Sequence, residues 1–139
     1  MGLGFFLPTL WVDSGFLELY TDASGTLGYG GILGEKWFQG QWETHHQLNA
    51  PGISIAWQEL FALVVACHLW GAELANNRIV FYCDNESAVS IVNSKCSRIP
   101  RVMDLVRHLT LLTLKHNFYP RAKHIEGKKN EIADALSRF

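Results

Sequence analysis

The chain has 139 residues, which fits one domain and leaves no room for two ordinary ones; with 48% hydrophobic and 18% charged residues it reads as soluble, globular and self-folding. Cys67, Cys83 and Cys96 are an odd number with no CxxC spacing, which argues against a disulfide framework and for a reducing, intracellular setting, nucleus or cytoplasm being left open. The net charge of −1 hides an asymmetry: residues 1–94 carry two Lys/Arg against nine Asp/Glu, residues 95–139 ten against four, so an acidic part suited to cations precedes a basic part suited to phosphates or simply an uneven surface.

The opening MGLGFFLPTLW is apolar but lacks a basic leader and is interrupted by Pro8, which argues against a signal peptide. Residues 1–15 read as a linker or strap, and residues 16–139 as the folded unit. No apolar run reaches the roughly 18–20 residues that span a bilayer, so no membrane association is expected. FLELYTDAS (16–24) alternates apolar and polar residues as a strand does, and the glycines after it punctuate two further short strands, GYGGIL and KWFQGQW. HHQLNAPG reads as a loop. Residues 54–74, rich in Ala and Leu and apolar on more than one face, predict a largely buried helix ended by Asn76 and Asn77.

RIVFYCD (78–84) is a compact strand, and Asp84 and Asn85 are both suited to cap the helix ESAVSIVNS. After the break SRIP, residues 101–117 form an amphipathic helix, FYPRAKHI (118–125) a strand that Pro120 confines to an edge or bulge, and NEIADALSRF a short helix opened by Asn130. The order βββ-α-β-α-α-β-α implies a mixed α/β sheet of three antiparallel strands and two helix-connected parallel ones, with helices on both faces.

That order gives four carboxylates a common address. Asp22 lies in the first strand, Glu59 in the long apolar helix, Asp84 at the close of the fourth strand and Asp134 one turn into the last helix. The first and fourth strands are neighbours in such a sheet, so Asp22 and Asp84 can come side by side and the two helices can bring their acids to the same strand ends. Carboxylates that close repel one another, and a pair of Mg²⁺ ions would relieve the repulsion. Each acid also has an ordinary reading: Asp84 as an N-cap, Asp134 as a first-turn acid favoured by the helix dipole, Asp22 as a turn residue. Glu59 is the hardest to explain this way, because a lone Glu deep in an apolar helix needs a partner.

LYTDAS with GYGGIL, AWQELFAL, FYCDNESAV and HIEGKKNEIADALSR resemble the four acidic motifs of the ribonuclease H family, over about residues 16–138. The ending is similar to that of retroelement reverse transcriptases, and IAWQELFALVVACHLWG with DNESAVSIVN looks closest to DIRS-like or related retrotransposon polyproteins. The resemblance implies an RNase H-like five-stranded mixed sheet and an endoribonuclease that cuts the RNA strand of RNA–DNA hybrids, joined to a reverse transcriptase domain. It implies two Mg²⁺ ions, with Mn²⁺ possible, held by Asp22, Glu59, Asp84 and Asp134, and products with 5′-phosphate and 3′-hydroxyl ends. His124, ten residues before Asp134, stands where the family often has a histidine that assists proton movement or product release.

Departures from the family pattern bear on substrate binding. Ile-Ala-Trp-Gln precedes Glu59 in place of an Asn-rich stretch, leaving Ser54 and Gln58 as the polar residues available there. The short SRIP leaves no room for an extra basic helix, so phosphate contact falls to Lys95, Arg98, Arg101, Lys128 and Lys129, and intrinsic binding is expected to be weak. His45, His46, His68 and the cysteines fit no zinc spacing and read as core or surface residues. The tryptophans read as packing, with Trp57 the one to watch as a stacking platform. Two alternatives remain beside the hydrolase: a catalytically silent module supporting a polymerase, and integrase-, resolvase- or exonuclease-like chemistry. The full acid set speaks against the first and the NEIADALSR ending against the second.

Overall fold

The computed structural model describes residues 16–138, so the apolar strip 1–15 lies outside the described residues. The strands are β1 (Phe16–Ala23), β2 (Gly28–Leu33), β3 (Lys36–Gln41), β4 (Arg78–Cys83) and β5 (Tyr119–His124). The helices are α1 (Ile55–Leu74), α2 (Glu86–Ser94), α3 (Pro100–His116) and α4 (Glu131–Arg138), with 3-10 turns at Thr44–His46 and Gly127–Asn130. The strand order is β3-β2-β1-β4-β5; β1–β2 and β2–β3 pair antiparallel, β1–β4 and β4–β5 parallel, as the element order implied.

Local chemistry explains most of the boundaries. Gly34, at φ +62, opens the two-residue turn between β2 and β3, a position where a residue without Cβ is least strained. Ser54 caps α1 by accepting a hydrogen bond from the Trp57 amide at 3.1 Å, and Asn85 caps α2 by accepting from Ala88 at 2.8 Å. Pro100 opens α3, where its missing N–H costs nothing. Asn76 and Asn117, both left-handed, end α1 and α3 and hydrogen-bond to each other through their side chains at 2.8 Å.

α1 lies between one face of the sheet and α3, with Leu60, Ala66, Cys67 and Leu74 fully buried. By length and composition this 20-residue helix is apolar enough to cross a membrane, which corrects the expectation that no segment reaches that length. Its apolar character has another cause: it is covered on two sides within the domain. Its own Trp57, Phe61 and Trp70 pack with Tyr29, Phe38 and Trp42, so Trp57 is core, whereas Trp37 on β3 is exposed.

β5 is an edge strand, as Pro120 foretold. Its outer side is held by Asn93 of α2, whose side chain donates to the Ala122 carbonyl at 2.9 Å and accepts from the Ala122 amide at 2.8 Å. On the opposite face of the sheet from α1, α4 sits on β2 and β1. Ser24 Oγ donates to the Ser137 carbonyl at 2.9 Å and Gln39 Nε2 to the Leu136 carbonyl at 3.0 Å. Gly30 makes this approach possible: a Cβ there would lie 2.5 Å from Leu136 Cβ. Gly30→Ala should therefore lift α4 and cost about 1–3 kcal/mol by overpacking. Urea unfolding of the variant checks the cost, and unchanged stability would mean α4 is not seated on Gly30.

Candidate functional site

The parallel register pairs Phe16 with Arg78 and Tyr20 with Tyr82, and continuing it sets Asp22 beside Asp84 where β4 gives way to α2. Asn85, not Asp84, caps that helix, so the Asp84 carboxylate is left for the cleft. From α1, Glu59 reaches the same strand ends. Its ligand oxygen, one from Asp84 and the Cys83 sulfur all lie within 4.8 Å of one another, and Cys83 Sγ donates to Glu59 Oε2 at 3.6 Å. Asp22 hydrogen-bonds to both Glu59 and Asp134. The four acids expected to converge are therefore brought together, from β1, α1, the end of β4 and α4.

Their ionisation shows the strain of that arrangement. Burial, then the Asp134 hydrogen bond and the Asp84 charge, push Asp22 up to about 7. Burial, then the charges of Asp22 and Asp84, push Glu59 up to about 10. Burial also pushes Asp134 upward, but hydrogen bonds from Asp22 and Arg138 outweigh it and leave this outermost acid below its ordinary value. Asp22 and Glu59 are each only 3% exposed, so water cannot do the screening. An all-carboxylate oxygen set that resists ionising on its own fits a hard divalent cation.

Several neighbours of the acids escaped the sequence reading. Ser137 donates to Asp22 Oδ2 at 3.4 Å and to the Asp134 carbonyl at 2.7 Å, and Arg138 Nε donates to Asp134 Oδ1 at 3.0 Å. Cys83 was noted only as a cysteine. Helical spacing places Ser137 one turn beyond Asp134 and could have revealed it; Cys83, immediately before Asp84, carried no comparable signal.

Asn130 does not act as the expected side-chain cap. It is buried, donates Nδ2 to the Thr21 carbonyl at 3.1 Å and leaves Oδ1 without a partner, fastening the start of α4 to β1 beside Asp22. His124 ends β5, exposed, in register with Cys83, so it rides on a strand end rather than a loop.

The nucleic-acid contacts expected before Glu59 change character. Gln58 is fully buried; its Nε2 donates to the Gly25 and His46 carbonyls, each at 2.9 Å, so it braces two loops and presents nothing to a ligand. Ser54 is engaged as the α1 cap. Arg101 donates to the Pro51 carbonyl at 3.0 Å and lies over the Trp57 ring, 5.3 Å from its centroid, while remaining exposed. Lys95 and Arg98 are exposed on the link between α2 and α3. Lys128 and Lys129 belong to the second 3-10 turn, and their side chains lie outside what is described.

No protein-family model matches the sequence, and no curated protein matches it. Solved structures do match in three dimensions. Ribonuclease H1 from the halophilic archaeon Halobacterium salinarum is similar over 88% of this chain and 94% of its own, with TM-score 0.68 and 17% identity. The fold is ribonuclease H-like. LC11 ribonuclease H1, solved in complex with an RNA/DNA hybrid, is equally similar, with TM-score 0.68 and 17% identity over 86% of this chain and 92% of that one. The foamy viral protease–reverse transcriptase, also solved with an RNA/DNA hybrid, matches 94% of this chain, which covers 22% of that larger protein, with TM-score 0.55 and 14% identity.

The raised carboxyls set a pH signature for the metal-free protein. Asp22 and Glu59 retain protons that the unfolded chain releases near about pH 4. Their contribution to stability is complete below that pH and is lost as pH climbs through about 7 for Asp22 and about 10 for Glu59. With chelator present, the melting temperature should fall between about pH 5 and 8. Asp22→Asn should flatten that slope and add on the order of 1 kcal/mol at its upper end, and Mg²⁺ should stabilise the unsubstituted protein most there. Calorimetry across this range checks it; a slope unchanged by Asp22→Asn would remove Asp22 from the repulsive cluster.

Proposed function

We propose that this chain hydrolyses the RNA strand of RNA–DNA hybrids with two Mg²⁺ ions, Mn²⁺ substituting, as the ribonuclease H domain of a reverse transcriptase polyprotein from a DIRS-like or related retroelement. One observation carries the reading: four carboxylates from four separate elements meet at one end of the sheet, two of them buried and resisting ionisation. The ribonuclease H-like fold supports it, as does the likeness to two proteins solved with RNA/DNA hybrids.

Asp22 and Asp134 would hold the ion on the attacking side, and Asp22, Glu59 and Asp84 the ion on the leaving side. When bound, such a pair acidifies a water and stabilises the departing 3′ oxygen, giving 5′-phosphate and 3′-hydroxyl products. The chain's own contribution is positioning. Asp22 stands between Glu59 and Asp134, and Ser137 and Asn130 fix the angle at which α4 presents its acid. His124, exposed beside the end of β4, would be the histidine that assists proton movement or product release.

Lys95, Arg98 and Arg101 provide phosphate contact, with Lys128 and Lys129 adding to it, and contacts to the 2′-hydroxyls select RNA over DNA. Only residues 95–99 join α2 to α3, so the grip on hybrid is weak and the attached polymerase supplies the rest. An intracellular setting suits Cys67, Cys83 and Cys96, which are all free. The second reading, a silent module that supports a polymerase, draws on Arg138, which already engages Asp134.

The test is cleavage of an end-labelled hybrid with Mg²⁺, beside single-stranded RNA, double-stranded RNA and double-stranded DNA. Hybrid-only cutting is expected, with Asp22→Asn and Asp84→Asn each lowering the rate at least roughly a hundredfold while circular dichroism is unchanged. Cutting that persists in either variant overturns the proposed site. Absence of cutting with Mn²⁺, both alone and joined to the polymerase, leaves the silent module.

A further inference from the structure

Away from the acid cleft, the loop between β3 and α1 gathers a second donor set. Glu43, His45 and His46 each offer a ligand atom, and the three atoms lie within 4.8 Å of one another. The 3-10 turn Thr44–His46 creates this convergence: the His46 amide bonds back to the Glu43 carbonyl at 2.9 Å, turning three nearly consecutive side chains to one side. His45 Nε2 stands 3.5 Å from Glu43 Oε2, and the two imidazole centroids are 4.0 Å apart.

The three residues are anchored unequally. His46 packs against Trp57 at 4.9 Å and Phe61 at 5.5 Å between centroids, and its carbonyl accepts from buried Gln58. Glu43 and His45 are exposed and adjustable. One ligand is thus held by the core while two can close on an ion.

We infer that Glu43, His45 and His46 form a binding site for a borderline divalent metal ion, with Zn²⁺ as its best match, that clasps the β3–α1 loop onto the first turns of α1. Two imidazoles and one carboxylate suit Zn²⁺, which prefers nitrogen and accepts a water as fourth ligand; Mg²⁺ prefers an all-oxygen set. The spacing Glu-x-His-His fits no familiar zinc pattern because all the ligands come from one turn. The site stands apart from the acid cleft and does not depend on the nuclease reading. Its consequence for the cleft is mechanical, since Gln58, the residue before Glu59, donates to the His46 carbonyl.

Two other places can take up Zn²⁺: the Glu59–Cys83–Asp84 group, and the close pair of His68 on α1 and His108 on α3. The experiment therefore uses the full chain carrying Asp84→Asn and His68→Ala, titrated with Zn²⁺ by calorimetry in excess Mg²⁺. One Zn²⁺ per chain is expected to bind, with matching shifts of the His45 and His46 imidazole resonances. Adding His45→Ala should weaken that binding at least about tenfold, some 1.4 kcal/mol, and Glu43→Gln should weaken it measurably. Both positions are exposed, so folding is not at stake. Zn²⁺ binding that His45→Ala leaves unchanged, or that is already absent from the starting double variant, overturns the site.

Discussion

The structure turns on the repulsion among carboxylates at the ends of β1 and β4. Asp22 is central to it, since it touches Glu59 on one side and Asp134 on the other and feels Asp84 through space. A protein optimised for stability alone would place an apolar side chain there. Here the sheet, α1 and α4 all converge on a position that disfavours its own charged form. Such a conflict survives where the surroundings over-determine the geometry and a ligand resolves it.

The surroundings do over-determine it. α1 is fixed by a buried aromatic group and by capping at Ser54, so Glu59 has little freedom to swing away. α4 is shorter and more exposed, and its placement depends on side chains that cross to the sheet: Ser24, Gln39, Asn130 and Ser137. The inner acids thus sit on β1, β4 and the buried α1, while Asp134 sits on the short α4, half-exposed and paired with Arg138.

The sheet was legible from residue pattern because each strand has a distinct local signature, with alternation in β1, glycines around β2 and β3, a solid apolar run in β4 and Pro120 in β5. The four acids were legible because strand order alone brings their positions together. Gln58 was misread: a polar residue beside Glu59 suggested an outward contact, but one helical step turns its amide inward to the Gly25 and His46 carbonyls. Asn130 was misread because Asn at a helix start usually caps, and only the packing of α4 on β1 diverts its side chain to Thr21. The Glu43, His45 and His46 grouping was invisible because it depends on a 3-10 turn that the loop sequence did not announce.

The Asn93 contact on β5 has a bearing on how this chain meets other chains. An exposed strand edge is a template on which a foreign strand can add. At β5, the amide of Asn93 takes both backbone groups of Ala122, and Pro120 has no N–H to offer. That margin of the sheet is sealed against strand addition by a helix posing as one more strand. The opposite margin, β3, carries Trp37 facing solvent. Of the two margins among the described residues, β3 is therefore the one left open to an added strand.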